Sequence, residues 1–440
     1  MIRTTTAFAH FFVPVGALGL AAVAAACGGA ASPPSAAPAN GAPPPSTVVQ
    51  PDASAGNAAS ALPPPAAAAG AAVPVPVTPP PADGNPFAGA AFFIDPTYVA
   101  KVESSIKASP TDAALLKKVE AFPTAVWIDS IKAAGTISKT LDAAAAQEKK
   151  AGKPIVTVFA IYDLPDRDCS AVASNGELTS AKEGEKRYQK EFIDKIAAQI
   201  KSHPKQRIVA VVEPDSLPNV ATNMSVPKCA TAAPVYEHSI AYAIKTLALP
   251  NVSLYLDAAH AGWLGWSGNR TKIAKIFSDV LAEAGGADKI RGFTTNVSNY
   301  DALKDGDLAK LEPSDPATGE LQYIELLDES LTEAGITGKA FIVDTSRNGR
   351  TGIRSKSGSW CNIKGAGLGE RPQANPAPLV DAYYWIKPPG DSDGGGEPTK
   401  PGFDQNCGPD SADSSPGAPR AGAWFGPYFI QLAKNANPGL

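Results

Sequence analysis

The stretch IVAVVEPD, residues 208–215, joins a β-branched run to the two acids Glu213 and Asp215. Short apolar runs of this kind predict β-strands. Six more occur along the chain, separated by amphipathic stretches such as residues 185–200 and 271–283 that are long enough for helices. Strands that alternate with helices predict a βα-repeating fold with a parallel sheet. The seven predicted strands are residues 125–128, 155–161, 208–212, 252–256, 292–295, 341–343 and 382–386.

Seven strands in one series favour a single parallel β/α barrel over an open sheet. Polar residues follow the end of every predicted strand. In parallel barrels the catalytic groups lie at the C-terminal ends of the strands and in the loops after them. The sequence therefore predicts an acid-lined cleft on the C-terminal face, built from Asp129, Tyr162, Asp168, Glu213, Asp215, Asp257, His260, Asn296, Asp344, Lys387, Asp391 and Asp393.

Two of these acids suit the hydrolysis of a glycosidic bond. That reaction needs one carboxylic acid to protonate the leaving oxygen, and a second carboxylate that attacks the sugar or activates water. An acidic neighbour such as Asp168 could keep Asp215 protonated by charge repulsion, while Arg167 could hold Asp168 ionised. The competing interpretation of a lone Asp at a strand end is a helix N-cap, which the number of strand-end acids disfavours.

Residues 162–170, YDLPDRDCS, and residues 213–217, EPDSL, resemble the two signature motifs of glycoside hydrolase family 6. This family contains cellobiohydrolases and endoglucanases that act on cellulose. The resemblance runs in order from about residue 85 to residue 440. Further matching segments are VWID at 126–129, SNGE at 174–177, LDAAHAGWLGW at 256–266, TNVSNY at 295–300 and WIKPPGDSDG at 385–394.

The resemblance implies a distorted, roughly seven-stranded parallel β/α barrel that hydrolyses β-1,4-glucan with inversion. It implies that Asp215 is the general acid and that Asp168 tunes Asp215 and organises the catalytic water. Tyr162 resembles the tyrosine beneath the distorted sugar, and Ser174 resembles a serine on a mobile loop that guides water. Asp393 matches an acid that has been considered as the base, and we rank it below Asp215.

The resemblance also implies a row of sugar-binding residues. Tryptophan in a fold is often a core residue, but indole rings also stack on the flat faces of glucose units. Trp127, Trp263 and Trp360 match sugar platforms, Trp266 is expected to be an outer platform, and Trp385 and Trp424 are expected to be packing residues. The remaining expected sugar ligands are Asp129, His260, Asn296, Lys387 and Asp391, with Arg167 and Asp257 as supporting residues.

Four cysteines follow Cys27, and four cysteines allow three pairings. In an exported chain we expect two disulfides. The pairs Cys361–Cys407 and Cys169–Cys229 would brace two long loops, which in exo-acting members of the family roof the cleft. We therefore favour a cellobiohydrolase that releases cellobiose from non-reducing ends. The alternatives are an endoglucanase with a more open cleft and a glucan-binding protein without catalysis.

The N-terminal residues 1–26 predict an export signal, because Arg3 precedes an apolar run too short to span a bilayer comfortably. Cys27 follows three alanines, as at the cleavage site of a bacterial lipoprotein, so we expect a lipid there. The alternative is an ordinary signal peptide. Residues 28–84 are rich in Ala and Pro without an aromatic residue, which predicts a disordered linker before a catalytic domain at 85–440. The expected location is extracellular or at the cell surface.

Other functional classes lack support in the sequence. The net charge of −4 gives no basic footprint for nucleic acid. The cysteines and histidines share no ligand spacing, so no metal site and no cofactor are expected. The expected partners are cellulose or cello-oligosaccharides, with a membrane contacted only through a lipid at Cys27, and the protein is expected to be a monomer.

Overall fold

The computed structural model describes residues 84–440. The predicted signal segment, Cys27 and the linker as far as residue 83 lie outside the described residues. Within them, one mostly parallel sheet contains nine strands. The strands are β1 (Ala91–Phe92), β2 (Val126–Ile128), β3 (Ile155–Ile161), β4 (Arg207–Val212), β5 (Val252–Asp257), β6 (Gly292–Thr295), β7 (Ala340–Asp344), β8 (Gln373–Ala377) and β9 (Val380–Tyr384).

The strand order is β1-β3-β4-β5-β6-β7-β9-β8, and β2 also pairs with β3. The sheet curls until β2 and β9 meet, where Ala125 N–H donates to Trp385 O at 3.1 Å. The Trp127 indole adds a bond from Nε1 to Ile386 O at 2.8 Å. The fold is therefore the distorted β/α barrel that was predicted, with all seven predicted strands present.

Two strands were not predicted. β1 has only two residues, and β8 contains a proline and pairs antiparallel with β9 at the edge of the sheet. The last predicted strand, residues 382–386, lies two residues earlier in the structure, as β9.

Successive side chains of the central strands enter two different cores, because they point to opposite faces of the sheet. Val209 and Val211 fill the inside of the barrel, whereas Ile208, Ala210 and Val212 pack against the surrounding helices. Burial on both faces explains why these strands are continuous apolar runs without polar alternation.

The helices surround the sheet. They are α1 (Pro96–Ala108), α2 (Ala113–Val119), α3 (Ile131–Ala134), α4 (Ile137–Ala151), α5 (Gly184–Arg187), α6 (Asp194–Lys201), α7 (Ser216–Thr222), α8 (Pro227–Leu247), α9 (Ala261–Leu264), α10 (Ser267–Ala284), α11 (Leu308–Leu311), α12 (Glu320–Glu333) and α13 (Gly426–Lys434). Short 3₁₀ turns occupy Pro110–Asp112, Ser180–Lys182, Ala287–Lys289 and Gln405–Cys407. None of the helices in residues 84–440 has the length and apolarity needed to cross a membrane.

The helix predicted over residues 185–200 is interrupted by a π-helical segment, Tyr188–Ile193, between α5 and α6. π-Helical segments are frequent near functional sites because they re-aim a side chain. Here the Tyr188 hydroxyl donates to Glu213 Oε1 at 2.9 Å, directly beneath the end of β4.

Candidate active site

A cavity of about 1090 Å³ opens at the C-terminal ends of the strands, where the acid-lined cleft was predicted. Most of the predicted site residues line it. They are Trp127, Asp129, Tyr162, Arg167, Asp168, Ser174, Asp215, His260, Trp263, Trp266, Trp360, Lys387, Asp391 and Asp393.

Asp215 stands at the N-cap position of α7, but its side chain makes no capping hydrogen bond. Its backbone N–H donates to Asp257 Oδ2 at 2.9 Å, and its backbone carbonyl accepts from Asn219 Nδ2 at 2.8 Å. The carboxyl group is therefore left to the cavity. Burial, followed by the charges of Asp257 and Asp168, raises the pKa of Asp215 well above its usual value. A carboxyl group held protonated in this way can donate a proton.

The backbone at these strand ends is unusual. Asp168, Glu213, Asp215, Ala259 and Asn296 all have positive φ angles, between 50° and 66°. Non-glycine residues in this left-handed region cost about 1–3 kcal/mol each and cluster at functional sites. These angles turn the chain sharply after β3, β4, β5 and β6, and of the five residues Asp168 and Asp215 face the cavity.

Asp168 accepts hydrogen bonds at both carboxylate oxygens. The Tyr162 hydroxyl donates to Oδ1 at 2.8 Å, and the Ser174 hydroxyl donates to Oδ2. Asp168, Tyr162 and Ser174 therefore form one hydrogen-bonded group on the cavity wall.

Arg167 supports the loop backbone around this group. Its Nε donates to Ser174 O at 2.8 Å, and its NH1 donates to Asp129 O at 3.1 Å and to Tyr162 O. Its closest carboxylate is Asp163, at 3.7 Å. No hydrogen bond joins Arg167 to Asp168 within residues 84–440, so Arg167 supports this group through the loop backbone.

Asp393 is held by several donors. Arg347 NH1 contacts its two oxygens at 2.9 and 2.7 Å, Lys387 Nζ lies 3.1 Å away, and Asn362 N–H donates at 2.9 Å. Burial alone would raise the pKa of Asp393, but Arg347 and Lys387 lower it below its usual value. A carboxylate that is ionised and already saturated with donors is a poor proton acceptor.

Two residues that hold Asp393 were not predicted, Arg347 and Tyr300, and the Tyr300 hydroxyl donates to Asp393 Oδ2 at 3.1 Å. Both follow strand ends, Tyr300 after β6 and Arg347 after β7. Their positions after strand ends could have indicated that they belong to the site. Their contact with Asp393 could not be predicted, because Asp393 lies in a distant segment of the chain.

The predicted sugar platforms are half-buried, and the indole N–H groups of Trp127, Trp263 and Trp266 donate to protein acceptors. Trp263 Nε1 donates to Thr222 Oγ1 at 2.8 Å and Trp266 Nε1 to Ser314 Oγ at 3.1 Å. Trp127 packs edge-on to Tyr162, with ring centroids 5.2 Å apart. Trp385 is fully buried and Trp424 packs on Phe429, in agreement with their prediction as packing residues.

His260 is held from both ring nitrogens. Its Nδ1 lies 2.6 Å from Asp301 Oδ2, and Asn299 Nδ2 lies 2.9 Å from its Nε2. Burial would raise the pKa of Asp301, but His260 and Arg354 bring it below its usual value. His260 therefore has a fixed orientation in the cavity wall.

Four residues that were predicted to line the cleft are buried beneath the cavity and do not line it: Glu213, Asp257, Asn296 and Asp344. Asn296 is fully buried, and its amide donates to Asp344 O at 2.8 Å, so its neighbours Ser298 and Asn299 reach the cavity instead. Asp257 lies under Asp215, as expected of a supporting residue. No group of three acid, histidine or cysteine side chains in residues 84–440 is arranged to hold a metal ion.

Both expected disulfides are present, Cys169–Cys229 and Cys361–Cys407. They brace the two predicted loops, and residues 170–175, 401–402 and 420–422 line the cavity. The two loops touch where Val172 N–H donates to Asp404 Oδ2 at 3.2 Å.

The chain is similar to known proteins over this whole region. The profile of "Glycosyl hydrolases family 6" matches residues 87–436. The chain is 40% identical over 360 residues to "Exoglucanase 3" of Agaricus bisporus, which covers 81% of this chain and 80% of that protein. It is also 40% identical over 363 residues to a Fusarium oxysporum protein named as an endoglucanase type B, covering 82% of this chain and 78% of that protein.

Among solved structures, the fold is similar to cellobiohydrolase II (Cel6A) from Humicola insolens in complex with glucose and cellotetraose. The TM-score is 0.77 and the identity is 38%. The match covers 81% of this chain and all of that chain (100%).

Proposed function

Because this chain belongs to glycosyl hydrolase family 6, we propose that it hydrolyses the β-1,4-glucosidic bonds of cellulose with Asp215 as the general acid. The observation that carries the proposal is the state of Asp215. Its side chain occupies an N-cap position without capping, faces the cavity, and has a raised pKa. A protonated carboxyl group at the floor of a sugar-sized cavity supplies what the leaving oxygen requires.

In the proposed reaction, Asp215 gives its proton to the glycosidic oxygen as the bond from that oxygen to the anomeric carbon breaks. A water molecule attacks the anomeric carbon from the opposite face and passes a proton to the solvent through further water molecules, which gives the α-anomer. Asp168 and Ser174 are placed to orient that water, and Tyr162 supports the sugar ring. Asp393 is not assigned as the base, since Arg347 and Lys387 occupy its oxygens.

The enzyme is exo-acting and releases cellobiose, and the contact between its two disulfide-braced loops supports this mode of action. A roof over the cavity would restrict entry to chain ends, whereas an endoglucanase needs a cleft open along its length. Product analysis on a soluble cellulose derivative distinguishes the two modes. Cellobiose release with little loss of viscosity is expected, and a rapid loss of viscosity would identify endo action.

Replacing the acid tests the central assignment. Asp215→Ala should lower turnover of cello-oligosaccharides by about 10²–10⁴, the usual contribution of a general acid. The variant should keep its melting temperature and its binding of cellotetraose. Near-normal turnover would refute the role of Asp215, and loss of turnover in a folded protein with normal binding excludes the purely glucan-binding alternative.

The stereochemistry of the first product tests the inverting mechanism separately. NMR spectra recorded during hydrolysis should show the α-anomer before mutarotation mixes the anomers. A β-anomer as first product would mean retention and a covalent intermediate.

The proposed setting of the enzyme is outside the cell, where the two disulfides would persist. We propose residues 85–440 as a monomeric catalytic domain, tethered by the linker 28–84 to a lipid on Cys27. Mass spectrometry of the N-terminal peptide tests the lipid, and sedimentation tests the monomer. If Cys27 of the exported protein carries no lipid, residues 1–26 are an ordinary signal peptide.

A further inference from the structure

Lys228 has no role in the proposed reaction, yet all of its side-chain donors point at the catalytic loop. It lies in the first turn of α8 and is half-buried. Its Nζ donates to Arg167 O at 3.1 Å, to Asp168 O at 3.2 Å and to Asn175 Oδ1 at 2.6 Å. A lysine ammonium has three N–H groups, so each of them has an acceptor in this loop.

These acceptors stand at the two ends of the segment that carries Ser174. Arg167 and Asp168 precede the segment, and Asn175 closes it. The neighbouring disulfide Cys169–Cys229 fixes only the first end. The hydrogen bond from Lys228 to Asn175 therefore ties the far end of the segment to α8. Its donor is a charged ammonium group, and such hydrogen bonds are stronger than those between neutral groups.

The connection continues across the roof of the cavity. The Asn175 amide Nδ2 donates to Val172 O at 3.2 Å, and Val172 N–H donates to Asp404 Oδ2 at 3.2 Å. Asp404 is buried and also accepts from Asn406 N–H at 2.8 Å, next to the Cys361–Cys407 disulfide. We call the series Lys228, Asn175, Val172 and Asp404 the roof latch.

We propose that Lys228 is a positioning residue that holds Ser174 against Asp168 and, through the roof latch, keeps the two roof loops in contact. The inference rests on the proposed function, because it explains what holds Ser174 and Asp168 in place to orient water and what keeps the enzyme exo-acting. Without Lys228, the bond from Arg167 Nε to Ser174 O would still hold the segment, but the Ser174 hydroxyl would leave Asp168 more often, since the loop tip at Val172 is exposed.

The test compares Lys228→Met with the matched control Lys186→Met. Lys186 is exposed and pairs only with Glu183, at 3.2 Å, away from the cavity. Amide hydrogen exchange of residues 171–176 should accelerate about tenfold in Lys228→Met, because the loop opens more often. On cellotetraose, kcat should fall about tenfold with a smaller change in KM, because the loop orients water in the transition state. The control should change neither quantity.

The loss of viscosity per cellobiose released distinguishes a positioning residue from one that only stabilises the fold, because the latter would leave this ratio unchanged. With the roof loosened, Lys228→Met should lower the viscosity of a soluble cellulose derivative faster per cellobiose released than the wild type does. A lower melting temperature with normal loop exchange, normal kcat and normal products would overturn the proposal.

Asn175→Ala keeps the test valid if Lys228→Met fails to fold, because Asn175 is an exposed loop residue. It should reproduce the faster exchange and the change in products, and the double variant should add little to either single change. Additive effects would overturn the latch. Failure of the proposed function can be told apart from failure of this inference. The first would appear as normal turnover in Asp215→Ala, whereas the amide exchange of Lys228→Met does not depend on turnover.

Discussion

Asp257 and Asp215 lie one above the other at the ends of β5 and β4. Asp257 Oδ2 accepts the N–H of Asp215 at 2.9 Å and that of Ala259 at 3.2 Å, which fixes its orientation. After burial, the charge of Asp257 is the largest contribution to the raised pKa of Asp215. The proton donor therefore depends on an acid that never reaches the cavity.

Asp257→Asn should shift the alkaline limb of the pH–activity profile. The active form of Asp215 is protonated, so activity falls as the pH rises through its pKa. Removing the neighbouring charge lowers that pKa, and the limb should move to lower pH. The profile of kcat/KM on cellotetraose measures the shift, with the exposed Asp279→Asn as control. An unmoved limb would show that burial alone sets the pKa of Asp215.

Asp163 makes the stability of the protein depend on pH. It is fully buried, and neither carboxylate oxygen has a hydrogen-bond partner. Burial raises its pKa to about 8, with the Glu213 charge adding to the effect and Arg167 opposing it. The unfolded value is about 3.9. The contribution of Asp163 to stability is therefore complete below about pH 4 and is lost as the pH rises through about 8.

Asp163→Asn should accordingly flatten the pH dependence of the free energy of unfolding. Urea titrations at pH 5 and pH 8 measure the difference for the wild type and the variant. The wild type should lose more stability between these two pH values than the variant does. Equal losses would mean that other buried groups, such as Glu213, dominate the dependence.

The acids and tryptophans of the site could be predicted from the sequence because each follows a recognisable strand, and strand ends of a parallel barrel share one face. Residues that act through another segment could not. Arg347 binds Asp393 across 46 positions of sequence, and Lys228 reaches Asn175 across 53. Such contacts depend on loop conformations that have no short-range signal.

At the scale of the elements, burial explains which strands were predictable. β3 and β6 match their predicted bounds, since both are continuously buried apolar or threonine-containing runs. β8 is a partly exposed edge strand with a proline, and β1 is only two residues long, so neither has a distinctive pattern. The π-helical segment at Tyr188–Ile193 was hidden because its residues have an ordinary helical periodicity.

The loop braced by Cys361–Cys407 packs directly behind Asp393. A Cβ atom added to Gly394 would lie only 2.6 Å from Cys407 Sγ, so the disulfide and the catalytic wall are in close contact. Asn362, next to Cys361, supplies the N–H that reaches Asp393. The disulfide thus connects the loop over the cavity to the wall that carries Asp393.

The double variant Cys361→Ser/Cys407→Ser should lose about 2–4 kcal/mol of stability, the usual effect of removing a native disulfide. It should also become more endo-acting on a soluble cellulose derivative, because the roof loop loses its anchor. Urea unfolding and viscosity measurements test the two effects. Ile324→Ala, a core change in α12, is the control that should lower stability without changing the products. An unchanged product pattern in the cysteine variant would contradict the roofing role.

At the scale of the whole molecule, the contacts of Asn85 and Phe87 mark the residue at which the folded domain begins. The Asn85 side chain donates to Asn375 Oδ1 at 2.7 Å and to Asp381 O at 2.8 Å, and it accepts the Phe87 N–H at 2.8 Å. Phe87 is 1% exposed and fills the inside of the barrel beside Tyr384, with ring centroids 5.9 Å apart. The chain is therefore tied to β8 and β9 from residue 85 onward.

A protein that begins at residue 85 should keep the melting temperature and, within about twofold, the cellotetraose turnover of the full chain, because changes remote from packed features are nearly neutral. One that begins at residue 93 removes Phe87 and β1 and should lose at least the roughly 3–5 kcal/mol of a deleted core aromatic. Thermal unfolding and turnover of both truncated proteins measure the boundary. A large loss already in the longer protein would mean that residues before 85 contribute to the folded enzyme, which would refute the linker assigned to them.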